Sequence, residues 1–142
     1  MAGHKDIFDL FAIEPCERGI PNDKGQYRQI RVVASPETTG DKFAIIHVHC
    51  PAGTSSPGHI HDDYEEIVFF DRRYAGKVKI NDDTYDVPAG GVFIARAGDW
   101  HQIVSVEGDS EMCNVYLPLK DKSNMPAEVL EKTMEYLAKR GL

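Results

Sequence analysis

The sequence predicts an all-β domain, a sandwich or a barrel, with one helix appended at its C-terminal end. Three observations carry that expectation. Short runs rich in β-branched and aromatic residues recur from residue 27 to residue 117. Glycine, proline, asparagine and aspartate separate them as turns. Helical periodicity is confined to the two ends of the chain.

Near the N-terminus, Ile7, Leu10 and Phe11 stand at helical spacing, so a short amphipathic turn is expected there. Residues 15–25 hold two prolines and two glycines and read as loop. The first strand is expected over 27–34, closed by Ser35-Pro36 and the turn Thr38-Thr39-Gly40-Asp41. A second, over 43–49, ends in the alternation His47-Val48-His49 before Cys50-Pro51-Ala52-Gly53.

Residues 66–70 form a strand with apolar side chains on both faces, Ile67 and Phe69 against Val68 and Phe70. A strand apolar on both sides needs a second cover, so a homodimer is expected. Runs at 77–80 and 84–87 flank Asn81-Asp82-Asp83 as a hairpin. Further strands are expected over 92–95, 101–106 and 112–117. Beyond a polar connector, residues 126–140 place Leu130, Met134 and Leu137 on one stripe between Pro126 and Gly141, the pattern of a C-terminal helix.

A chain of 142 residues suits one well-buried domain and is short for two. The expected organisation is an N-terminal segment over 1–35, a barrel core over 36–118 and a helical end over 119–142. The formal charge of −7 argues against nucleic acid or an anionic membrane as the main partner, because both need a basic footprint. No apolar run reaches the length of a bilayer span. Residues 1–10 lack the apolar centre of a signal peptide. Cys16, Cys50 and Cys113 are odd in number, far apart and without a CxxC pair, which fits reduced thiols and a cytoplasmic location.

The chemistry concentrates in residues 53–66. On an extended strand, residues two apart share a face, so His59 and His61 project together. A carboxylate follows at Glu65 or Glu66, and His101 stands in a similar glycine-punctuated setting. Imidazoles with one carboxylate suit a divalent transition metal ion, Fe, Mn, Ni or Zn. His47 and His49 share a face of a neighbouring strand. They are candidates for catalytic or substrate-contacting groups, with ordinary hydrogen-bonded strand histidines as the alternative. Tyr85, Asn114 and Tyr116 are strand residues whose facing the sequence leaves open.

These residues resemble the two motifs of the cupin superfamily, in its small single-domain, metal-binding form. The first motif is Gly, five residues, His-x-His, three or four residues, Glu, six residues, Gly; this chain has Gly53, five residues, His59-Ile60-His61, then Glu65 or Glu66. The second is Gly, five residues, Pro-x-Gly, two residues, His, three residues, Asn. Gly90, Arg96-Ala97-Gly98, His101 and Ser105 match its spacing. Both matches together, separated by a hairpin, are specific. The departures are a longer turn, Asp71-Arg72-Arg73-Tyr74-Ala75 before Gly76, and Arg96 and Ser105 in place of proline and asparagine.

The resemblance implies a jelly-roll barrel. It implies that His59, His61, Glu66 (with Glu65 as the alternative) and His101 are metal ligands, with Glu66 preferred because Glu-Glu-Ile resembles the usual run in which the second glutamate binds. It also implies a metal-dependent enzyme, dioxygenase-like, acting on a small polar organic molecule chelated at the ion. The alternatives are a non-catalytic metal- or small-ligand-binding cupin, or an isomerase, lyase or decarboxylase of the same fold. Among the candidate catalytic groups, His47, His49 and Tyr116 would stand beside the open positions of the ion.

Overall fold

Side-chain alternation decides which face each strand buries, and strand β3 (Ala44–Cys50) shows it most cleanly. Ala44, Ile46, Val48 and Cys50 are buried, while Ile45, His47 and His49 lie on the other face. The computed structural model describes residue 4 and residues 6–117. β3 belongs to a six-stranded antiparallel sheet in the order β1-β2-β3-β9-β4-β7. The other members are β1 (Cys16–Arg18), β2 (Arg28–Ala34), β4 (Glu65–Phe69), β7 (Val92–Ala95) and β9 (Ser110–Leu117). A three-stranded sheet, β6-β5-β8, is built from β5 (Gly76–Ile80), β6 (Asp83–Val87) and β8 (His101–Val106).

The register carries the core across the larger sheet in rows. Ile30 pairs with Val48 and Val48 with Met112. Val32, Ile46, Asn114 and Val68 form the next row, and Tyr116, Glu66 and Ala95 another. Val78, Val87, Ile103 and Val106 of the smaller sheet pack into the same apolar cluster. Fully burying a side chain of this size contributes about 1.5–3 kcal/mol. Asn114 and Glu66 are thus embedded in adjacent, otherwise largely apolar rows, and each requires a compensating partner.

All eight expected strands are present, with ends displaced by at most two residues. Strand β1 lies where a loop is expected. Its three residues, between Pro15 and Gly19, show no alternation, and only pairing with β2 makes them a strand. A single helical turn, α1 (Pro36–Thr39), occupies the expected turn, capped by Ser35 and ended by Gly40 at φ +66°. The amphipathic turn is a 3-10 segment at Leu10–Ala12, laid across the outside of the larger sheet, where the Phe11 ring meets the Arg31 guanidinium and the His47 ring.

The closed barrel expectation is met in part. β4 pairs with β7 and β9, while β5 pairs with β6 and β8, so the strands segregate into two sheets. Among the described residues no continuous ladder joins the two. The expected C-terminal helix over 126–140, and the segment 119–142 that contains it, lie outside the described residues.

Candidate metal centre

The loop between β3 and β4 is pinned along the start of β8. Ser56 donates its N–H to the Ile103 carbonyl, and Ile103 N–H returns a bond to Ser56 Oγ. His59 and His101 exchange backbone bonds of 3.0 and 2.9 Å as an isolated antiparallel bridge, and Gly98 N–H donates to the His61 carbonyl. This backbone pairing brings the two sequence motifs together. Gly58 allows the approach, because a Cβ there would lie 1.6 Å from Trp100 Cζ2.

His59, His61, Glu66 and His101 consequently converge, with one potential ligand atom from each lying within 4.8 Å of the others. Glu66 Oε1 is 3.6 Å from His61 Nε2 and 3.8 Å from His101 Nε2, too long for hydrogen bonds. The outer nitrogens are all engaged. Nδ1–H of His59 donates to the Pro57 carbonyl, that of His61 to Tyr64 and that of His101 to Asp99, at 3.2, 3.3 and 3.1 Å. A carbonyl can only accept, so Nδ1 carries the proton and Nε2 presents a lone pair inward.

Nε2 of His61, Nε2 of His101 and Oε1 of Glu66 are buried and lack any hydrogen-bond partner. Three nitrogen donors and one carboxylate oxygen suit a divalent transition metal, so the residues fit such an ion. Burial alone would push the Glu66 carboxyl up, but His101 and His61 beside it hold it well below the usual carboxylate range. Burial pushes His59 down, assisted by the neighbouring His101.

The cluster forms one wall of a cavity of about 280 Å³. Asn114 donates Nδ2–H to Glu66 Oε2 at 3.2 Å and thereby fixes the carboxylate plane. Tyr64 stacks on the His61 ring at 4.0 Å, and Tyr116 meets both rings edge-on. Burial, with the Glu66 charge second, pushes both phenols up, so both are neutral. Ile30, Ile46 and Ile103 supply an apolar wall.

Of the residues singled out in the sequence, Tyr116 and Asn114 line this cavity, whereas His47, His49 and Tyr85 do not. With Ile46 and Val48 inward, the pleat sends His47 and His49 to the outer face. There His47 Nε2 stands 3.5 Å from Glu111 Oε1, and burial lowers its pKa. Tyr85 is exposed on β6. Glu65 faces outward and pairs with Arg96 at 3.2 Å, so the residue in the proline position of the second motif has a surface partner. Sequence reasoning missed Tyr64 and Arg28 as cavity residues; Arg28 was detectable as the position in phase with Ile30 and Val32 on β2.

No family model and no curated protein matches the chain. Solved structures do. A predicted oxalate decarboxylase from Thermotoga maritima superposes with a TM-score of 0.66 at 23% identity, over 80% of this chain and 99% of the other. Ectoine synthase from P. lautus superposes with a TM-score of 0.62 at 14% identity, over 80% and 78% of the two chains. The Cnp3 cupin domain of Schizosaccharomyces pombe superposes with a TM-score of 0.56 at 16% identity, over 91% and 95%. With its two antiparallel sheets and its converging His59, His61, Glu66 and His101, this chain has the cupin fold.

Proposed function

We propose that the chain is a metal-dependent enzyme acting on a small polar organic molecule at a centre formed by His59, His61, Glu66 and His101. One observation carries this reading: buried Nε2 of His61, Nε2 of His101 and Oε1 of Glu66 point together without a hydrogen-bond partner. Each such atom costs about 1–3 kcal/mol when left unsatisfied, and one divalent ion, Fe, Mn, Ni or Zn, offsets all three. Bound there, the ion would supply a Lewis acid or a site for dioxygen activation at positions the protein leaves open.

The chain's own residues define the rest. Asn114 orients Glu66. Tyr64 and Tyr116 are neutral phenols beside the centre, unable to act as bases near neutral pH. Ile30, Ile46 and Ile103 exclude water from the wall. Once the three histidines and Glu66 are engaged, no basic side chain capable of taking a proton remains among the described lining residues. That favours a reaction in which the protein need not abstract a proton, so dioxygenase-like oxidation leads over isomerisation and elimination, with decarboxylation, which needs no such abstraction, as the alternative enzyme chemistry. The same feature favours, as the second reading, a non-catalytic cupin that binds a small ligand.

Oxygen-electrode assays on metal-loaded protein with small hydroxy and oxo acids test the choice. Uptake that depends on the added acid and disappears in His59→Ala/His101→Ala supports the enzyme. Binding without turnover supports the second reading.

Two finer points complete the proposal. The outer face of β4 and β7 exposes Phe69 (47%), Val92 and Ile94, with Ile67 half-buried beside them, and we place a second copy of the chain against it. Light scattering that reports a monomer at micromolar concentration would contradict this. The location is cytoplasmic, in keeping with three cysteines that form no disulfide among the described residues.

A further inference from the structure

We propose that Arg28 anchors a carboxylate of the substrate, so that the molecule bound here is a small acid carrying a carboxylate besides the oxygens that meet the metal. The inference rests on the reading of His59, His61, Glu66 and His101 as a metal centre, and it names the class of substrate that centre takes. Arg28 opens β2 in phase with Ile30 and Val32, so it belongs to the inward face. It is only 7% exposed and lines the same cavity as the cluster. Its Nε is buried without a hydrogen-bond partner.

No carboxylate among the described residues forms an ion pair with Arg28. Its ionisable neighbours are the Cys50 thiol, with which it shares a side-chain hydrogen bond, and the Tyr116 phenol, and burial keeps both protonated. A buried guanidinium beside a neutral thiol is an uncompensated charge, and such charges are retained where a ligand neutralises them. Among the described residues, Glu66 is the one carboxylate lining the cavity, and it is already surrounded by imidazoles. With a divalent ion in place, the cavity is strongly positive although the chain as a whole carries −7.

The bend that follows β1 is shaped around this side chain. Gly19 has φ +99°, and a Cβ there would lie 2.7 Å from the Ser55 carbonyl and 3.0 Å from Arg28 Cδ. Any larger residue would displace the arginine stem. The β1–β2 register places Arg18 directly opposite Arg28, and Arg18 lines the cavity as well. A planar guanidinium receives a carboxylate through two parallel N–H···O bonds, a geometry that a lysine cannot reproduce. A cavity of about 280 Å³ admits a molecule of modest size.

The test uses zinc-loaded wild type, Arg28→Lys and Arg28→Gln, titrated calorimetrically with malate and with 2-hydroxybutyrate. The two probes share a chelating 2-hydroxy acid, and the second has a methyl where malate has its distal carboxylate. Wild type is expected to prefer malate by about tenfold or more, the worth of one charge-assisted pair. Arg28→Gln should bring the ratio near one, with Arg28→Lys between, while zinc content stays unchanged. Equal affinities in wild type, a preference that survives in Arg28→Gln, or no binding of either acid to the loaded protein would overturn the inference. Failure of wild type to take up zinc overturns the metal centre instead, and the malate preference of the metal-free protein then still decides the role of Arg28. If circular dichroism shows that Arg28→Gln is unfolded, Arg28→Lys, which keeps the charge and fills the same channel, carries the comparison.

Discussion

Glu65 and Glu66 are consecutive on β4 and do opposite things. Glu66, 3% exposed, lies among three imidazoles, while Glu65 reaches the surface and pairs with Arg96. The pleat alone separates them, because successive strand residues face opposite sides. Glu66→Gln should abolish stoichiometric metal uptake. Glu65→Gln should leave it intact and change stability by less than about 1 kcal/mol, as expected for an exposed pair. Metal content and melting temperature of the two variants check this, and equal metal loss in both would contradict it.

Asn114 touches the centre only through Glu66 Oε2. Removing a hydrogen bond that orients a ligand typically lowers metal affinity about 10–100-fold. Asn114→Leu should therefore weaken binding in a competition titration with a chelator while leaving the ligand set complete. An unchanged affinity would show that the apolar row around Glu66 holds the carboxylate without help.

Gly58 sits beneath the Trp100 indole, where a Cβ cannot fit without moving the ring. Gly58→Ala should destabilise the protein by about 1–3 kcal/mol, the usual range for overpacking. Because the next residue is His59, metal affinity should fall with it. Urea unfolding monitored by tryptophan fluorescence reads both the stability and the altered ring environment, since Trp100 is the chain's single tryptophan.

Asp71 organises the turn that replaces the shorter one of the family pattern. Its carboxylate accepts bonds from the Arg73 backbone and guanidinium and from Glu111 N–H. The Arg73 hydrogen bond is the main cause holding its pKa well below the usual carboxylate range. A carboxyl depressed in the folded state stabilises the fold above its unfolded pKa of about 3.9 and loses that contribution as pH falls toward the folded value. Wild type should therefore exceed Asp71→Asn in melting temperature at pH 6, with the gap closing below about pH 4. A gap independent of pH would contradict the role given to the charge.

Much of this arrangement was legible in the chain itself. The spacing of His59-Ile60-His61 and of His101 identified three of the four converging side chains, although His59 and His61 lie in the loop between β3 and β4 rather than on the expected strand, and the His59–His101 bridge brings them together. The choice of Glu66 over Glu65 rests on the resemblance of Glu-Glu-Ile to the family's usual run, since a strand apolar on both faces offers no phase; Glu66 is buried on the same side as Val68 and Phe70. A parity argument, applied to Ile46 and Val48, would have sent His47 and His49 outward. Arg28, Tyr64 and Asn114 were not assigned, because their approach to the cluster depends on the order β2-β3-β9-β4, set by pairing between residues distant in sequence. Strand β1 escaped notice because three residues without alternation become a strand only beside β2.

The central claim is that His59, His61, Glu66 and His101 hold one divalent transition metal ion. Elemental mass spectrometry on protein purified without an affinity tag, with the His59→Ala/His101→Ala variant alongside, tests it most directly. The account predicts about one Fe, Mn, Ni or Zn per chain in the wild type and none in the variant. A wild type that carries no metal and takes up none on reconstitution, or a variant that keeps its full complement, would contradict it.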